Sequence, residues 1–245
     1  MASYGLYLES GPRRRKTMVH VLDLLGCVAV GPTSEDALAA TPLAIHTYLR
    51  FLQRHGEPVD PNEPWETRVV EHITEGEWLG NGSPYLVFGP DLEPITGADI
   101  ETCLQRFNWL RSEMAQWAAN QTDEQLDAPP TGRGRTAREI LLHVLGEPVG
   151  GYLSAALGGV TGFSHVAGAT KRGEIGIAEG LLRIEAMAAE RVRATTPAER
   201  AAIHERANGD RRTLRKALRR ILEHDWEHLA ELSRRPGGPC ATASD

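Results

Sequence analysis

Beyond residue 98, apolar positions recur every third or fourth residue in four long stretches. In residues 1–75 they come in short alternating or clustered runs. The first period belongs to helices buried along one stripe, the second to strands. Ser3 to Glu9 reads as a strand, and Gly11-Pro12 with Arg13-Arg14-Arg15-Lys16 as a turn. Thr17 to Leu22 is a second strand and Cys27 to Val30 a third. Thr33 caps a helix that runs to about Arg54, with Asp36 placed to reach back and Pro42 as a local irregularity. Trp65 to Ile73 is a fourth strand. The order β-β-β-α-β suits a small sheet with a helix on one face.

Residues 76–97 carry Gly76, Gly80, Gly82, Gly89 and Gly97 with Pro84, Pro90 and Pro94, a spacing that forbids a long helix. This is the predicted connector, with a short strand at Tyr85 to Phe88. Residues 98–236 then read as helical. Thr96-Gly97-Ala98-Asp99 is a capping box for a helix to about Asn120, with Ile100, Leu104, Phe107, Leu110, Met114 and Trp117 as its stripe. Thr122 to Pro130 is a loop. Thr136-Ala137-Arg138-Glu139 opens a second helix, kinked by Pro148. Gly158 to Gly176 reads as a Gly-rich loop, Ile177 to about Thr195 as a third helix, and Thr196-Pro197 as the start of a short extra one. Asp210 caps the last helix, which stops before Pro236; residues 237–245 are a flexible tail. Four long helices, each with one apolar stripe, predict a four-helix bundle, so the fold class is α+β.

The chemistry gathers on the last helix, in His224-Asp225-Trp226-Glu227-His228. Histidines four apart share a helix face, and both imidazoles can reach one point, as a metal ion requires. With nine histidines in 245 residues such a pair is weak alone, and a third ligand is needed. His143, on the second long helix, supplies one if that helix neighbours the last. Three imidazoles with an open position suit zinc, nickel or iron. Asp225 and Glu227 are candidates to orient the ligands, with Asp225 near the buried stripe and Glu227 facing solvent. Glu147, one turn beyond His143, is a candidate ligand-orienting group or proton acceptor; alternatively it bonds His143 as a core histidine. His20, His46, His55 and His72 show no ligand spacing and read as structural or surface residues. The basic run Arg211-Arg212-Arg215-Lys216-Arg219-Arg220 reads as a solvated face, or as an attractor for an anionic thiol or phosphate.

Composition narrows this little. The chain is 41% hydrophobic and 24% charged, ordinary for a globular protein. A net charge of −6 argues against a general nucleic-acid binder. No run approaches the ~18 apolar residues that span a membrane, and no signal peptide is evident. Cys27, Cys103 and Cys240 form no metal or disulfide pattern, so a cytoplasmic protein is expected.

Two resemblances follow from these residues. His20-Val21-Leu22-Asp23-Leu24-Leu25-Gly26-Cys27, followed by Gly31-Pro32-Thr33-Ser34-Glu35-Asp36-Ala37-Leu38, resembles the HicB family signature, without two of its prolines. The resemblance implies a partner-binding module, although no DNA-binding segment accompanies it. Thr136 to His143 together with His224 to His228 resembles the DinB family of helical-bundle metalloproteins, with Arg135 where the family usually has Trp. That resemblance implies metal-ligand roles for His143, His224 and His228. It also implies a thiol-dependent transferase or isomerase using a low-molecular-weight thiol such as bacillithiol, mycothiol or glutathione; a hydrolase would use the same ligands. It further implies a dimer. The alternative is a non-catalytic partner-binding protein whose bundle holds a structural metal.

Overall fold

The computed structural model describes residues 1–11, 16–130, 132–206 and 209–239. The expected turn at Arg13 to Arg15, Cys240 and the rest of the expected tail lie outside them. The chain opens with strands β1 (Ala2–Gly11), β2 (Lys16–Val21) and β3 (Val28–Gly31), helix α1 (Ser34–Arg54) and strand β4 (Trp65–Ile73). The sheet order is β3-β2-β1-β4, with β4 parallel to β1 and the other pairs antiparallel. Thr33 caps α1 by accepting the Asp36 N–H at 3.1 Å, and Pro42 does not break the helix. Gly31 lets α1 start directly against the end of β3, since a Cβ there would overlap the backbone of Ala37.

No strand forms at Tyr85 to Phe88. Three of the connector's N–H groups go to carboxylates: Gly82 and Ser83 donate to Glu9, and Phe88 donates to Asp91 at 3.0 Å. Phe88 and Asp91 are buried, the latter in a single tight turn at Gly89–Leu92.

The helical part comprises α2 (Gly97–Ala119), α3 (Asp123–Asp127), α4 (Ala137–Glu147), α5 (Ser154–Leu157), α6 (Phe163–Lys171), α7 (Ile177–Arg193), α8 (Pro197–Ala201) and α9 (Leu214–Ser233). Helix α2 packs on α7 and α9, and α4 packs on the same two. Two expected loops contain helices. Thr122 forms a capping box that starts α3. Within 158–176 all the glycines but Gly168 lie outside α6, and Val166, Ala167, Ala169 and Thr170 bury one side of it. Pro148, lacking an N–H, turns the end of α4 into a wider i→i+5 turn over Pro148–Leu153. The stretch Ala137–Leu157, 21 residues of mean hydropathy 1.3, is long and apolar enough by composition to cross a membrane, which the sequence reading did not expect. In the fold, Ile140, Leu141, Val144 and Leu145 are buried, and the segment packs against α9 and α7.

Helix α9 starts three residues later than expected. Thr213 is its cap, accepting the Lys216 N–H at 3.1 Å and donating to the Asp91 carbonyl at 2.6 Å. Asp210 instead accepts from Arg212 at 2.7 Å, beside a small hairpin of β5 (His204–Glu205) and β6 (Arg211–Arg212). The basic run is solvated only at its start, where Arg211 is exposed and Arg212 and Arg215 are partly so, paired with Asp210 and Asp99. Lys216, Arg219 and Arg220 are buried. Arg219 holds Asp91 through two bonds, at 2.8 and 2.7 Å. Arg219 and Arg220 both donate to Glu223, which also meets His20 of β2 at 2.9 Å. Trp226 packs edge-on against Tyr48 of α1, with ring centres 4.9 Å apart. One apolar core thus continues from the sheet, through α1, into the helices.

Candidate metal centre

The capping box at Thr136 fixes where α4 begins: Thr136 accepts the Glu139 N–H at 3.1 Å, and Glu139 accepts the Thr136 N–H at 2.6 Å. His143 follows two turns later, on the side facing α9. His224 and His228 come from consecutive turns of α9. The structure brings all three together. One ligand atom from each imidazole lies within 4.8 Å of the others. Nε2 of His143 and Nε2 of His224 are 3.0 Å apart, and the ring centres of His224 and His228 are 4.5 Å apart. Tetrahedral ligands at about 2.0–2.1 Å from zinc stand about 3.3 Å from one another, so sub-ångström to ångström side-chain shifts complete the set.

The electrostatics favour neutral imidazoles. Burial, then the nearby His228 and Arg135, lowers the His143 pKa to about 4. Burial lowers that of His224 to about 3 despite Asp225. Both rings therefore offer lone pairs at neutral pH, which a metal ligand needs.

Asp225 is fully buried, with Oδ1 3.5 Å from Nδ1 of His224. Neither atom has a hydrogen-bond partner among the described residues. The other carboxylate oxygen accepts from Arg111 of α2. Arg111 also donates to the carbonyl of Val144, next to His143, at 2.8 Å. One buried guanidinium thus ties together the two helices that carry the histidines. His228 meets Glu231 through Nδ1 at 2.8 Å, and Arg135 reaches both of them.

The other expected residues fare differently. Glu147 is exposed and makes no hydrogen bond to His143; it lines a cavity of about 280 Å³ with Tyr85, Tyr152 and Lys216. The Tyr152 ring lies 6.3 Å from that of His224. Glu227 does not face solvent freely. It is half-buried in a cleft shared with Lys16, Val30 and Trp226, and burial pushes its pKa up. Sequence reasoning missed Arg111, Glu231 and the placement of Arg135. Glu231 carries a local signal, three residues after His228; Arg111 carries none.

Comparison with known proteins found no match to any family model, curated protein or solved structure.

Proposed function

We propose that this chain is a divalent-metal-binding protein of the DinB-like type, its helices forming a four-helix bundle behind a HicB-like module. His143, His224 and His228 would hold zinc, nickel or iron, and the activity would be a thiol-dependent transfer. The observation that carries this is the convergence of three imidazoles within 4.8 Å. A bound divalent cation would lower the pKa of a thiol or water placed at its open position. The chain's own groups do the rest. Burial keeps His143 and His224 unprotonated. Asp225, held by Arg111, faces the far nitrogen of His224. The substrates are a low-molecular-weight thiol and an electrophile, the setting cytoplasmic, and the assembly a homodimer.

The test is metal analysis of the purified protein with conjugation assays on low-molecular-weight thiols. His224→Ala should strip most of the metal and leave the helical circular dichroism in place. A protein that carries no metal and takes up none on dialysis would sink the proposal. A second reading, a non-catalytic partner-binding protein, is favoured by the buried contact of His20 with Glu223, which joins the N-terminal module to the metal-bearing helix. Bound metal without turnover on any thiol or ester would select it.

A further inference from the structure

Nδ1 of His228 meets two groups that cannot both use it. The Glu231 carboxylate is 2.8 Å away and the Arg135 guanidinium 3.3 Å. A neutral imidazole has one N–H and one lone pair. With the hydrogen on Nδ1, it donates to Glu231 and leaves the Nε2 lone pair for a cation. With Arg135 donating to Nδ1, the hydrogen must sit on Nε2 and block it. Arg135 and Glu231 are also paired with each other at 3.1 Å. Arg135 is held in place from two sides. It precedes the cap of α4, and its carbonyl accepts from Arg235, just beyond α9.

We propose that Glu231 and Arg135 are opposed positioning residues for His228: Glu231 selects the metal-ligating tautomer, and Arg135 tempers it by competing for the same nitrogen and placing a positive charge beside the site. This rests on the metal-centre reading above. A carboxylate behind a ligating histidine fixes its tautomer and raises its basicity, and its loss weakens metal binding about 10–100-fold. Removing a nearby cation acts the other way, since like charges repel.

A merely structural ion pair makes a different prediction. Both side chains are partly exposed, and such pairs contribute little. Their removal would leave metal binding unchanged or weaken it in both variants alike. The experiment is a cobalt(II) titration of the metal-stripped full-length chain, read by ligand-field absorption. It compares wild type, Glu231→Ala and Arg135→Gln, with thermal unfolding as the control for folding. The proposal expects Glu231→Ala to bind about tenfold or more weakly and Arg135→Gln to bind more tightly than wild type. Glu231→Ala within threefold of wild type, or Arg135→Gln no tighter than wild type, would overturn it. A wild-type chain that binds no cobalt would instead remove the metal centre itself, and this inference with it.

Discussion

Glu223 shows how much one buried side chain can hold. It accepts from Arg219, Arg220 and His20, with all four residues 1% exposed. Burial alone would raise its pKa, but the attraction of Arg219, His20 and Arg220 wins and leaves it far below the usual carboxylate range. For His20 burial pulls the pKa down, yet the ion pair with Glu223 raises it above 6.5. A raised folded pKa contributes stability that is fully present below about pH 6.5 and is lost as pH rises through the folded value. Wild type should therefore lose stability relative to His20→Gln between pH 6 and pH 9. Urea midpoints measured across that range check this; a difference independent of pH would show that His20 is not charged in the fold. None of this was visible locally. His20 looked isolated because its partner lies 203 residues away.

Local signals read well wherever the element depends on its own residues. The four strands, the order β-β-β-α-β, the caps at Thr33, Thr96 and Thr136, and the break in regular helix at Pro148 all follow from nearby chemistry. The last helix start did not. Asp210 and Thr213 are both good caps, and only the distant Asp91 carbonyl and the Arg212 pairing decide between them. Helix α6 was hidden because flanking glycines looked like a loop. The site divides the same way. The i, i+4 histidines were legible, and their meeting with His143 depended on α4 and α9 being neighbours. Arg111, which links these two helices, lies 33 and 114 residues from its acceptors and left no local trace. Its removal should be costly, because Asp225 would be left buried without its cation. Arg111→Met should destabilise the fold by about 3–5 kcal/mol, read from denaturant unfolding. A loss under ~1 kcal/mol would show that the fold does not depend on the Arg111–Asp225 pair.

Taken as a whole, the chain is organised about α9. One side carries Arg219, Glu223 and Trp226 into the N-terminal module, and another carries His224 and His228 toward α4. Because these residues share one rigid helix and one continuous core, a ligand of the histidines should stabilise more than the helical part. A ligand that binds only the folded state adds about 2.7 kcal/mol at a hundred times its Kd. If the halves open together, that gain must reach the amides of β2, whose residues Met18, Val19 and His20 are buried, with His20 against Glu223 of α9. Hydrogen exchange on the metal-stripped and zinc-loaded protein tests this. Loading should slow exchange in β1 and β2 by a factor similar to that in α4 and α9. Protection confined to residues 97–233 would instead mean that the two parts open independently, and that the buried ion network joins them without coupling them.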